Sequence, residues 1–266
     1  MFVMSISPII FSLGHIHLRW YSLIVGIALA IGLWLASREA KRKGFDEEIF
    51  FNIALYIVVA GIIGARLFHV IDHWPDEFAA DPMRALYIWD GGLAIWGGVI
   101  GGLIAAALFA RHYQWKLARL LDALVPGVVL GQAIGRFACI ITGDSVGKPT
   151  SGPFGIAYTN PEAMAPKLDV YYVPTPIYEI IMNLGIFTLV WSLQKKNLPD
   201  GVLTLIYFIL YSIGRFVITA WSAYQPAALG LNQAQLISVA AVVISIPLLV
   251  AILRKNGARR LSGESV

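Results

Sequence analysis

The 266 residues are 58% hydrophobic and only 14% charged, with a formal net charge of +4 and a mean hydropathy of +0.72. Soluble domains are about a quarter charged, so this composition excludes an ordinary water-soluble globule and predicts a single integral membrane domain over 1–266. The basic residues fall in short clusters between apolar runs, which argues against a nucleic-acid-binding surface, and the single cysteine, Cys139, excludes an internal disulfide and a cysteine-rich metal site.

A membrane-crossing helix needs roughly 20 mostly apolar residues. In chain order the runs that qualify cover 20–37, 48–70, 92–110, 118–140, 176–193, 201–221 and 234–253, predicting an all-α polytopic protein of seven spans. The first run ends in a basic cluster with no small-residue cleavage pattern and therefore reads as a retained span. Lysine and arginine set the orientation. Arg38, Lys41, Arg42 and Lys43 follow span 1, and Arg111, Lys116 and Arg119 lie between spans 3 and 4. Lys195 and Lys196 follow span 5, and Arg254, Lys255, Arg259 and Arg260 follow span 7. The positive-inside rule makes that side cytoplasmic, with the N-terminus outside and the C-terminus inside. Arg19, Arg84, Lys148 and Lys167 fall on the outer side, where residues 141–175, rich in Gly, Pro and Thr, suit a small external cap between spans 4 and 5. A short polar tail follows Arg260.

Three arginines remain, and all lie inside apolar runs: Arg66, Arg136 and Arg215. An ionised side chain at such depth is costly and marks function by default. The topology puts all three in the outer-leaflet half, with Arg215 about 9 Å from the outer end of its span at 1.5 Å per residue. Any one of them alone is explained by a carboxylate partner or by snorkelling to the interface. Three at similar depth on different spans predict a shared anion site, because the guanidinium fork suits phosphate oxygens.

Neighbouring residues add candidates. Tyr211 precedes Arg215 by four and shares its helix face; interfacial packing explains it equally well. Glu179 opens span 5 in PTPIYEI and suits either an arginine pair or a proton acceptor. Asp144 and Gly147 follow Arg136 just outside the span, where glycine lets backbone amides approach an anion. Tyr21 opens span 1 in RWYSL, as a site residue or a belt aromatic. Span 3 carries GGLAIWGGVIGG, in which Gly97 with Gly101 and Gly98 with Gly102 form small-xxx-small pairs that let helices approach closely. Asp122 lies too far along its helix to pair with Arg136 and reads as structural. His69 and His73 have metal-pair spacing but no third ligand, so neither a metal nor an organic cofactor is expected. Cys139 beside Arg136 reads as packing before nucleophile. There is no G-x-S-x-G elbow, H-E-x-x-H, Walker A or dinucleotide fingerprint.

Taken in order, WYSLIVG, GARLFHV, GGLAIWGG, LDALVPGVVLGQAIGRF, TGDSVGKPT, PTPIYEI and GVLTLIYFILYSIGRF resemble the prolipoprotein diacylglyceryl transferase family over most of the chain. The resemblance implies a multi-pass enzyme of the bacterial plasma (inner) membrane. Its substrates would be phosphatidylglycerol and the signal peptide of a preprolipoprotein, whose lipobox cysteine thiol receives the diacylglyceryl group as glycerol 1-phosphate leaves. It implies that Arg136 is the essential signature arginine, that Tyr211 and Arg215 are the late-span pair, and that Tyr21 and Arg66 match the family's first- and second-span residues. Gly147 matches the glycine that closes the signature, and Asp122 the span-4 aspartate. The expected catalytic set is Arg136, Arg215, Tyr211 and Tyr21; the expected substrate-binding set is Arg66, Gly147, Asp144, Glu179, Gly97 and Gly98. The chain departs from the family's G-R-x-G-N-F-x-N-G-E-x-x-G, reading GRFACIITGDSVG. Cys139 and Thr142 stand where asparagines are usual, Asp144 where glutamate is usual, Trp96 where many members have histidine, and Thr219 where many have an acid. The rival expectation is an anion or lipid transporter using the same arginines. A third, a structural or receptor-like seven-helix protein, leaves the arginine cluster unexplained.

Overall fold

A computed structural model describes residues 1–13, 16–88 and 91–261 of the chain. Most of the polar tail after Arg260 lies outside the described residues, as do the side chains of Arg259 and Arg260. In chain order the elements are β1 (Phe2–Met4), β2 (Ile9–Leu13), β3 (Ile16–Arg19), α1 (Trp20–Arg42), α2 (Glu47–Asp72), α3 (Ile95–His112) and α4 (Leu117–Thr142). Then come β4 (Ile156–Tyr158), α5 (Thr175–Leu193), α6 (Val202–Ile218), β5 (Pro226–Ala228), β6 (Leu231–Asn232) and α7 (Gln233–Leu261). Among the described residues seven helices are long and apolar enough to cross a membrane, and their order matches the seven runs expected from hydropathy.

The boundaries differ where backbone conformation overrides hydropathy. α1 runs through its basic residues to Arg42 and stops before Gly44, whose φ of +79° is the left-handed conformation that commonly ends helices. α3 starts at Ile95 rather than 92 because Gly91 and Gly92 have φ of +92° and +71°, which no helix accommodates. The last apolar run gives way to polar residues after 253, but α7 continues to Leu261.

The chain divides into two compact units, one formed by Met1–Ala36 with Val125–Val266 and the other by Ser37–Leu124. In the second unit α2 and α3 pack backbone to backbone. A Cβ on Gly64 would strike the carbonyl of Gly97, and one on Gly97 would strike the carbonyl of Gly64. The glycine pattern of span 3 therefore serves helix approach. Asp46 caps α2 by accepting from the Ile49 amide at 2.9 Å, with Glu47 and Glu48 in the first turn, where acids favour the helix dipole. Asp122 is buried, and the Lys43 ammonium lies 3.9 Å from it.

In the first unit Gly32 of α1 and Gly127 of α4 meet backbone to backbone. Val125 and Val129 of α4 pack with Ile186 and Val190 of α5 and with Leu203 and Tyr207 of α6. The Tyr207 hydroxyl donates to Gln132 Oε1 at 3.1 Å, giving that core one satisfied polar contact between α6 and α4. Among the described residues this unit also holds three two-stranded sheets: β1 parallel to β4 (Phe2↔Ile156), β2 antiparallel to β3, and β5 antiparallel to β6. Hydropathy gave no hint of them, since strands of two to five residues carry too few alternations to register as a period.

Candidate functional site

The site in the first unit is built from α4, α5, α6 and the turn after α4. α5 begins at Thr175–Pro176, where proline's fixed φ suits a first helical turn, and this sets Glu179 one turn into the helix. Glu179 is 3% exposed. Its Oε2 forms an ion pair with Arg136 Nε and its Oε1 accepts from Arg215 Nη1. One buried carboxylate thus bridges two arginines from different helices, and these three residues together carry a net charge of +1. Gly214 makes room there for the Met182 side chain of α5, whose sulfur a Cβ at that position would strike.

Aromatic and hydroxyl groups extend the cluster. Arg215 Nη2 donates to the Tyr224 hydroxyl at 3.3 Å and its guanidinium lies 5.9 Å from that ring centroid. The Tyr211 hydroxyl is within hydrogen-bonding reach of Arg136 and within electrostatic reach of Glu179 and Arg215. Arg136 Nη1 points to Ser145 Oγ at 3.5 Å and to Cys139 Sγ at 3.7 Å. Cys139 Sγ lies 3.9 Å from Asp144 Oδ2, and Thr142 Oγ1 lies 2.8 Å from Asp144 Oδ1. Tyr21, in the first turn of α1, is in electrostatic range of Cys139, Asp144 and Arg136.

The turn after α4 is held from outside. Gly143, with φ +76°, reverses the chain against the ring of Tyr158. The Tyr158 hydroxyl donates to the Ile140 carbonyl at 2.8 Å. Burial pushes the Tyr158 phenol above its ordinary value, with the negative charge of Asp144 adding to the effect. Thr175 Oγ1 donates to the Ser145 carbonyl at 2.6 Å, tying α5 to the turn.

Arg136 thus has Glu179, Tyr211 and Tyr21 around it, with Asp144 reached through Cys139, and Arg215 joins through Glu179. The remaining candidates do other things. The Gly147 amide donates to the Val173 carbonyl at 2.9 Å, and a Cβ there would strike Trp221 O. It is a close-packing glycine whose amide is already used, rather than one presented to an anion. Gly97 and Gly98 face α2, where Gly98 sits against Gly61 and Ala65; their surroundings are those of a helix seam. Arg66 belongs to the second unit. It is 8% exposed and donates to the carbonyls of Ala85 (2.9 Å), Gly91 (2.7 Å), Gly92 (3.1 Å) and Arg84 (2.6 Å), with its guanidinium 5.3 Å from the Phe78 ring centroid. Its fork is occupied by backbone carbonyls, which ties residues 84–85 and 91–92 to α2. The His69 and His73 rings are tilted against each other with centroids 4.3 Å apart, and His69 Nε2 lies 3.5 Å from Glu77. Sequence reasoning did not single out Ser145, Thr175 or Tyr224. Ser145 lay inside the signature, while Tyr224 carried no signal at all.

The model of the family described as prolipoprotein diacylglyceryl transferase matches residues 8–251. Relatives named phosphatidylglycerol–prolipoprotein diacylglyceryl transferase are similar along nearly their whole lengths. The Dehalococcoides mccartyi (strain BAV1) protein is 34% identical over 96% of this chain and 97% of its own. The Geobacillus kaustophilus protein is 36% identical over 92% of each. The Synechocystis protein is 34% identical over 90% of this chain and 87% of its own. All three are named as transferases, and the transporter expectation finds no support among them.

Proposed function

The chain belongs to the prolipoprotein diacylglyceryl transferase family, and from that premise we propose that it transfers the diacylglyceryl group of phosphatidylglycerol to the lipobox cysteine of a preprolipoprotein signal peptide. The observation that carries the reading is the pair of arginines, Arg136 and Arg215, bridged by the buried Glu179. These three residues together carry one positive unit, between helices apolar enough to cross a membrane. A lipid phosphate matches that charge and the donors around it.

The chemistry follows from the charge. A thiolate attacks the glyceryl carbon next to the phosphate, a sulfur–carbon bond forms, and the carbon–oxygen bond breaks. Its electron pair leaves on the phosphate, so negative charge grows where Arg136 and Arg215 sit. Donors already in place for that charge stabilise the transition state at no reorganisation cost. Glu179 keeps the two like charges together before substrate arrives. Confinement of lipid and signal peptide to one membrane supplies the encounter geometry. The reaction belongs on the outer side of the bacterial inner membrane, with the N-terminus outside and the C-terminus cytoplasmic, as the distribution of lysine and arginine supports.

The test is direct. Purified protein in vesicles containing radiolabelled phosphatidylglycerol is mixed with a lipobox peptide. The reading expects label on the peptide through a thioether and glycerol 1-phosphate in solution. A peptide that stays unlabelled while phosphatidylglycerol is intact overturns it.

A further inference from the structure

Transfer requires that the acceptor thiol lose its proton, because the thiolate is the nucleophile. Two carboxylates lie at the arginine cluster, and their surroundings differ. Glu179 is buried and each of its oxygens carries a guanidinium. Protonating it would break a buried ion pair and leave two facing arginines without their counter-ion. Asp144 is exposed and, among the described residues, forms no ion pair with a guanidinium. The left-handed Gly143 folds it back over the last turn of α4. There Thr142 Oγ1 has two possible acceptors, Asp144 Oδ1 at 2.8 Å and Ala138 O at 3.1 Å. Its single proton favours the closer, charged oxygen, which fixes the carboxylate; Oδ2 faces the Cys139 thiol and keeps a second lone pair for another donor.

A thiol already occupies that position. Cys139 Sγ lies 3.9 Å from Asp144 Oδ2 and 3.7 Å from Arg136 Nη1. The chain's own cysteine thus shows that sulfur fits between this carboxylate and the arginine that meets the phosphate. We propose that Asp144 is the general base that takes the proton from the incoming peptide thiol, an assignment that rests on the transferase reading above. The proton passes from sulfur to Asp144 Oδ2. The sulfur electron pair forms the bond to the glyceryl carbon, and the carbon–oxygen pair departs on phosphate. The proton on Asp144 then passes to the released phosphate monoester or to water, which resets the carboxylate. Thr142 is a positioning residue in this scheme, since it acts only through Asp144.

The experiment compares Asp144→Asn with the unaltered enzyme on two peptides, one carrying the lipobox cysteine and one carrying selenocysteine at that position. A selenol is already ionised at neutral pH and needs no base. With the cysteine peptide, D144N loses roughly 10²- to 10⁴-fold in kcat, the usual worth of a general base. With the selenocysteine peptide it recovers to within about tenfold of the unaltered enzyme. Arg136→Ala fails on both peptides, because its loss concerns the leaving group. D144N as active as the unaltered enzyme on cysteine overturns the assignment, and so does an equal loss on both peptides. If D144N does not accumulate as folded protein, the same ratio is read on Asp144→Gln. If the unaltered enzyme transfers no lipid to either peptide, the functional reading itself fails; transfer by the unaltered enzyme with an unaffected D144N removes only Asp144 from the mechanism.

Discussion

Glu179→Gln separates charge from shape at the site. The amide has the carboxylate's size but cannot neutralise Arg136 and Arg215, so the local charge rises from +1 to +2. Two unit charges about 5 Å apart interact by roughly 3 kcal/mol at an effective dielectric of about 20. Removing one partner of a buried pair costs about 3–5 kcal/mol by mutational experience. Both arginine side chains are less than a quarter exposed, at 23% and 17%, so solvent screening reduces these figures little. We therefore predict a loss of about 3 kcal/mol, read as a Tm lower by roughly 6–12 °C at 2–4 °C per kcal/mol. The same variant should be rescued by anion. Added phosphatidylglycerol raises the Tm of E179Q more than that of the unaltered protein, since the lipid phosphate restores the missing negative charge and ligand binding stabilises by mass action. The assay is thermal unfolding in neutral-lipid micelles with phosphatidylglycerol titrated in. An E179Q protein of unchanged Tm, or one whose response to phosphatidylglycerol matches the parent's, would show that the carboxylate does not hold the arginines together.

Three further outcomes follow from the geometry. Arg136→Lys keeps the charge but loses the fork that reaches Glu179, Ser145 and Cys139 together; transfer to a lipobox peptide should fall by about 10²- to 10³-fold, and a parental rate would remove the need for bidentate recognition. Arg66→Lys loses most of the four carbonyl contacts to Arg84, Ala85, Gly91 and Gly92; because hydrogen bonds to charged groups are worth about 1.5–3 kcal/mol, amide exchange should rise at residues 84–88 and 91–92, and unchanged protection there would refute its organising role. Tyr158→Phe loses the bond to the Ile140 carbonyl, a cost of about 1 kcal/mol at neutral pH. Because the folded phenol is raised above the ordinary 10.0, the parent keeps its full stability below pH 10 and loses it as pH climbs beyond, when the unfolded phenol ionises first. Y158F should show a shallower alkaline decline in urea unfolding, and an identical slope would count against a buried neutral phenol.

Local sequence was sufficient for whatever depends on neighbours along the chain. Apolar runs of about 20 residues determined the seven helices, because a backbone in lipid must satisfy its own hydrogen bonds. The cost of burying an arginine marked Arg136 and Arg215, and the spacing of four tied Tyr211 to Arg215. Glycine spacing in GGLAIWGGVIGG announced a close helix seam, and α2 supplied the partner through Gly61 and Gly64. Tertiary structure decided the partners. Glu179 and Arg215 stand 36 positions apart and meet where α5 and α6 pack, with Gly214 making room for the Met182 side chain. Arg66 and Arg136 look alike in sequence, each a lone arginine in an apolar run. One is consumed by backbone carbonyls and the other is held by a carboxylate on a different helix. A charge in an apolar helix must find a partner, and its own sequence states that need. Which partner comes within 3 Å depends on helix packing, a property of the whole chain that no local window contains.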